Sequence, residues 1–120
     1  MMAKFYFVSG ALLNALGIIL GAFGAHFLKA RLQPEELTTY ETAVRYLIIH
    51  ALGLIIISMS NLNIKITGVL FITGIFLFSG SLLALIFTKI RALGMITPIG
   101  GLCFIMGWLM LALRAWKQNG

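Results

Sequence analysis

Between Lys4 and Lys29 the chain runs from Phe5 to Leu28, 24 residues without a formal charge. About 20 apolar residues are enough for a helix to cross roughly 30 Å of hydrocarbon. This run therefore spans a membrane on its length alone. Three more follow. The second has a core from Tyr46 to Leu62 and extends back to about residue 43. The third covers 66–88, between Lys65 and the Lys89/Arg91 pair, and the fourth about 93–113, closed by Arg114 and Lys117. Backbone groups in lipid must be satisfied internally, and continuous runs of this length do so as helices rather than barrel strands. The expectation is an all-α integral membrane protein. Residues 1–120 form one compact bundle of four transmembrane helices, with sequential helices as antiparallel neighbours.

Composition supports that class and removes others. The chain is 61% hydrophobic and 10% charged, with a mean hydropathy of +1.06. A soluble domain carries about a quarter charged residues. The net charge of +6 does not indicate nucleic acid, because such proteins cluster Lys and Arg on one face. Here the basic residues stand singly or in pairs at the ends of apolar runs, where they anchor helices at the headgroups. The expected partners are membrane lipids and a further copy or another membrane protein. Lys4 followed by an apolar stretch and small residues also has the look of a secretory leader. The run exceeds the usual 7–15 residues of such a segment and three spans follow it, so a retained helix is expected. Basic residues divide four to five between the two sides, too evenly for the positive-inside rule to orient the chain.

The one polar stretch is ARLQPEELTTYETAVRY, residues 30–46. Gln33 suits a cap, Pro34 a first turn, and Glu35 and Glu36 a helix N-terminus. The second helix is therefore expected from near Pro34 to about Asn61, its first amphipathic turns standing in the headgroup region. Glu41 and Arg45 are spaced for an i,i+4 pair. Small residues let membrane helices approach closely. Gly17, Gly21 and Gly24, then Gly80, and then Pro98, Gly100 and Gly101 are the candidate packing positions.

Depth gives the candidate site. Counting inward from Lys29 and from Arg45 puts His26 and His50 within roughly 3 Å of each other along the membrane normal. The same leaflet then holds Thr42, Arg45, Tyr46, Ser79, Ser81 and Thr97. Ionisable residues in a membrane usually face the bundle interior or a water-filled cavity. Two readings follow, a small polar site or hydrogen bonds that join helices. No metal is expected. Neither HxxxH nor HxxE occurs on one helix, and Cys103 is the single cysteine. No cofactor is expected either. A catalytic set is lacking, since Ser79 and Ser81 have no G-x-S-x-G context and the chain has no Asp. Asn14 is expected to bond between helices. Pro98 and the Gly100–Gly101 pair could unwind a span, as broken transporter helices do. The leading expectation is a non-enzymatic protein whose polar cluster meets a lipid headgroup or another protein. The alternative is a small-ion or proton-coupled transporter using the two histidines.

The stretches GAFGAH (21–26), TAVRYLIIHALGL (42–54), GIFLFSGSLLAL (74–85) and LGMITPIGGLCFIMGW (93–108) resemble the YgdD-like family of small four-span membrane proteins, a domain of unknown function. The resemblance implies a four-helix architecture and a bacterial inner-membrane location. It places His26, Thr42, His50, Ser79, Gly80, Ser81, Thr97, Pro98 and Gly100 at motif positions, and it brings no activity. Leu47 stands where that pattern would put glutamine.

Overall fold

The computed structural model describes residues 2–118. Among them are four helices long and apolar enough to cross a membrane. The first, α1, is Met2–His26. A 3-10 turn at Leu28–Ala30 leads into α2, Pro34–Ser58. The third, α3, runs over Lys65–Thr88, and a 3-10 turn at Arg91–Met95 precedes α4, Thr97–Lys117. The bundle measures 52 × 26 × 21 Å.

α2 begins where the polar stretch says it should. Pro34 occupies the first turn, and Glu36 Oε1 accepts the Gln33 backbone N–H at 3.0 Å, which satisfies one of the free donors of a helix start. Its far end comes earlier than the expected Asn61. The hydroxyls of Ser58 and Ser60 turn back onto the carbonyls of Ile55 and Ile57 at 2.6 and 2.7 Å. Such local bonds compete with helix continuation. The fourth span, Arg91–Lys117, contains the expected 93–113; its first turns are 3-10, and the α-helix begins at Thr97 because Pro98 fits only a first turn. The helix then passes through Gly100 and Gly101 unbroken.

The irregular span is α3 instead. Its middle, Ile75–Gly80, is wound as a π-helix, a form that occurs mostly as short insertions and often at functional positions. Just there α4 comes closest. A Cβ placed on Gly100 would lie 2.7 Å from the Leu77 carbonyl carbon and also strike the Phe78 backbone nitrogen. Two hydroxyl bonds hold the same region. Ser79 donates to the Ala43 carbonyl of α2 at 2.6 Å, and Ser81 meets Thr97 of α4 at 2.5 Å.

α1 and α2 form a long antiparallel hairpin in which the glycines of α1 make room. Gly24 receives the ring of Tyr40, Gly17 the side chains of Leu47 and Ile48, and Gly10 the backbone of Ala51 beside Leu54. The Tyr40 hydroxyl donates to the Leu20 carbonyl. At the other end Tyr6 lies over Gly68 and donates to the Lys65 carbonyl at 2.9 Å, fixing α1 to the first turn of α3. The core between these contacts is built from Leu47, Leu54, Ile57, Phe71, Ile75 and Phe104.

The expected packing roles divide. Gly17, Gly24 and Gly100 are occupied by a neighbour. Gly21, Gly80 and Gly101 have room for a methyl group, their nearest atoms being 3.7–3.9 Å from an added Cβ. Pro98 is exposed and sets the start of α4 rather than a close contact.

Candidate functional site

The α1–α2 register sets the depth of every polar residue on α2. With Tyr40 on Gly24 and Leu47 on Gly17, Glu41 is level with Phe23, Arg45 with Ile19 and His50 with Asn14. The expectation that His26 and His50 share a depth is therefore corrected. They are twelve residues apart in level, about 18 Å at the α-helical rise. The count from Arg45 failed because Arg45 does not mark the membrane boundary. It is level with Ile19, seven residues and about 10 Å along α1 from His26, the last residue of that helix.

His26 is exposed at the end of α1. His50 is 3% exposed and fully engaged. Its Nδ1 is 2.8 Å from the Tyr46 carbonyl, and the Trp108 indole N–H donates to its Nε2 at 2.9 Å. An indole nitrogen can only donate, so Nε2 is the acceptor and Nδ1 carries the proton. The ring is thus the neutral Nδ1–H tautomer. It stacks on Phe104 with centroids 3.5 Å apart, and Phe71 meets it edge-on at 5.3 Å. Adding a proton at Nε2 would put two donors face to face and break the Trp108 bond. A histidine held in this way joins α2 to α4.

The other expected members separate into distinct contacts. Thr42 donates to the Thr38 carbonyl within α2. Ser79 joins α3 to α2, and Ser81 and Thr97 join α3 to α4. Tyr46 is half-buried against Phe78, with centroids 4.7 Å apart. Asn14 donates within its own helix, to Gly10 at 3.3 Å, and not between helices. No group of three or more His, Cys, Asp or Glu side chains among the described residues could hold a metal.

Arg45 is different. It is exposed on the outer face of α2, in the stripe Thr38, Glu41, Arg45, Ile49, Leu52 and Ile56. The expected Glu41–Arg45 ion pair does not form. Among the described residues the ion pair is Lys89–Glu36, between the end of α3 and the start of α2. Arg45 stands between two grooves. One, of about 450 Å³, runs between α2 and α4 past Tyr46, Ile49, His50, Gly101, Phe104 and Trp108. The other, of about 190 Å³, lies between α1 and α2 and is floored by Gly21, Gly24 and Ala25, with Glu41 on its wall. Composition alone hid this. An arginine near a polar stretch reads as a headgroup anchor until the helix register is known.

Comparison with known proteins gives membership without activity. A family model described as a protein of unknown function, DUF423, matches residues 20–101. The chain is 45% identical to the UPF0382 membrane protein SH2409 of Staphylococcus haemolyticus, over 98% of this chain and 99% of that one. It is 40% identical to the UPF0382 membrane protein SAB0533 of Staphylococcus aureus, over 98% and 99%. To the UPF0382 membrane protein YwdK of Bacillus subtilis it is 40% identical, over 95% and 98%. No solved structure matches it. The four membrane-competent helices and these relatives make it a multi-pass membrane protein, and the chain belongs to the DUF423 family of proteins of unknown function.

Proposed function

We propose that this is a non-enzymatic membrane protein whose outward α2 face is a protein-contact site within the hydrocarbon, and that within its family it groups with the YgdD-like proteins it resembles. What carries the first reading is the pair Glu41 and Arg45, both exposed on one stripe and neither in an ion pair among the described residues. Charged side chains at membrane depth are expensive, and they face a bundle interior, a cavity or a partner. Here they face outward. Lipid tails offer them nothing, whereas another protein at the same depth supplies both charge and hydrogen bonds.

The lipid-headgroup reading is less well supported by the depth. Arg45 is level with Ile19, about 10 Å inside the end of α1 at His26. The transporter reading has lost the paired histidines on which it stood. His26 lies at the end of α1, and both ring nitrogens of His50 are engaged.

A photoreactive amino acid in place of Ile49, which lines the groove beside Arg45, tests the reading in native membranes. Irradiation is expected to yield a covalent adduct of protein mass. Adducts of lipid mass alone would replace a protein contact by a lipid site.

A further inference from the structure

We propose that the end of the bundle where α2 begins binds a phosphate ester carrying a primary ammonium, the chemistry of an aminophospholipid headgroup. The site lies apart from the outward α2 face and does not rest on the protein-contact reading. Three spans meet there. α2 starts at Pro34, α3 ends at Thr88 and the fourth span starts at Arg91. A cavity of about 470 Å³ lies between them, at the ends of spans, where helices meet the headgroups.

The charges of this cavity select its ligand. Glu35 and Glu36 line it from α2, and Lys89 and Arg91 from the end of α3 and the start of the fourth span. Two of the four neutralise each other, since Glu36 pairs with Lys89 across the cavity walls. What remains is the exposed Glu35 carboxylate and the exposed Arg91 guanidinium, neither in an ion pair among the described residues. A simple anion drawn to Arg91 shares the space with Glu35, and a simple cation drawn to Glu35 shares it with Arg91. A ligand with one charge of each sign satisfies both. A purely basic pocket at this level takes anionic headgroups instead.

The groups on each side name those two charges. The planar Arg91 guanidinium offers paired N–H donors that match two phosphate oxygens. Glu35 offers a carboxylate, and Thr39, one turn further along α2, a hydroxyl oxygen. That hydroxyl donates to the Glu35 backbone carbonyl at 3.0 Å, and its oxygen keeps lone pairs with which to accept. A primary ammonium has three N–H donors for such acceptors. A quaternary ammonium has none and is held by aromatic faces, and no aromatic side chain among the described residues lines this cavity. The half-buried Leu85 and the buried Ile86 complete the lining and give apolar surface to the methylenes that follow a headgroup into the membrane. Soluble phosphoethanolamine compounds carry the same charged groups; the position at span ends and the apolar lining favour the lipid.

Native mass spectrometry of the full chain in mild detergent tests this with phosphatidylethanolamine, phosphatidylcholine and phosphatidylglycerol of identical acyl chains. The wild type is expected to bind phosphatidylethanolamine about tenfold more tightly than either of the others, the difference made by one charge-assisted hydrogen bond. Glu35→Gln should erase the preference over phosphatidylcholine and strengthen phosphatidylglycerol binding, because the repelling carboxylate is gone. A misfolded variant gives no such gain. Arg91→Gln should weaken phosphatidylethanolamine and phosphatidylcholine alike, by about tenfold. Arg114→Gln, at the far end of the bundle, should leave the preference as it is. Glycerophosphoethanolamine separates the two sources. A lipid site keeps its adduct in about hundredfold excess of this soluble analogue, and displacement at equal concentration means that the same groups are read on a soluble molecule. Equal binding of phosphatidylethanolamine and phosphatidylcholine by the wild type overturns the proposal, as does a preference that survives Glu35→Gln.

Discussion

Trp108 of α4 donates its indole N–H to Nε2 of His50 on α2 at 2.9 Å, and that single bond decides which imidazole nitrogen carries the proton. The opposite nitrogen must then donate to the Tyr46 carbonyl. Solid-state 15N NMR of His50 should show a protonated Nδ1 and an unprotonated Nε2. Trp108→Phe keeps a ring but removes the donor. It should lower unfolding free energy by about 0.6 kcal/mol, the average for a hydrogen bond between membrane helices, and by no more than about 1.7. His50→Ala should cost several times more, since it removes both bonds and the stack on Phe104. A protonated Nε2 in the wild type would contradict the assignment.

Adjacent glycines on α4 should respond in opposite directions. Gly100→Ala forces a methyl group against the backbone of Leu77 and Phe78. A backbone cannot rotate away as a side chain can, so α3 and α4 must separate. The expected loss is about 1–3 kcal/mol, typical of overpacking. Gly101→Ala meets only the Phe78 ring, at 3.7–3.8 Å, ordinary contact distance. It should be neutral or stabilising by up to about 1 kcal/mol, the helix-propensity difference between the two residues. Thermal unfolding in detergent micelles of matched composition reads both.

These positions also show what the sequence could carry. The number of spans was legible because hydropathy averages over some 20 residues and tolerates single exceptions. The start of α2 was legible because Gln33, Pro34 and Glu36 act locally. Depth along α2 was not, because it was reckoned from Arg45. Only the seating of Tyr40 on Gly24 reveals that this arginine lies among apolar neighbours. The surroundings of His50 were equally hidden, since Phe71, Phe104 and Trp108 arrive from two other helices. Nothing local in IFLFSG announces a π-helix, and the contacts that Ser79 and Gly100 make there come from across the bundle.

Lys89 ends α3 with φ 61° and ψ 19°, the left-handed conformation, where it is the only non-glycine residue with positive φ among those described. Such a residue costs about 1–2 kcal/mol relative to glycine. Lys89 also pairs with Glu36 while 65% of its side chain is exposed, and exposed pairs contribute about 0–1 kcal/mol. The backbone strain outweighs the ion pair. Lys89→Gly should therefore leave stability unchanged or raise it slightly, and raising salt should narrow the gap between wild type and Glu36→Gln. A loss above about 1 kcal/mol for Lys89→Gly, measured by denaturation in mild detergent, would reverse that order.

Ser79, inside the π segment of α3, bonds the Ala43 carbonyl of α2, and Ser81, the residue after that segment, bonds Thr97 of α4. Neither loss strands a buried partner. The Ala43 carbonyl lies within α2 and keeps its helical bond, and Ser81 keeps the Phe78 carbonyl at 3.0 Å. Ser79→Ala and Thr97→Val should each cost about 0.6 kcal/mol. Their double variant should cost more than the sum by at least about 0.5 kcal/mol, because contacts that share one structural element couple. Hydrogen exchange supplies the local reading. Amides of residues 75–80 should lose protection in the double variant before the rest of α3 does. Strict additivity with uniform protection would mean that the π winding is held by the Gly100 contact alone, and that the two hydroxyls only decorate it.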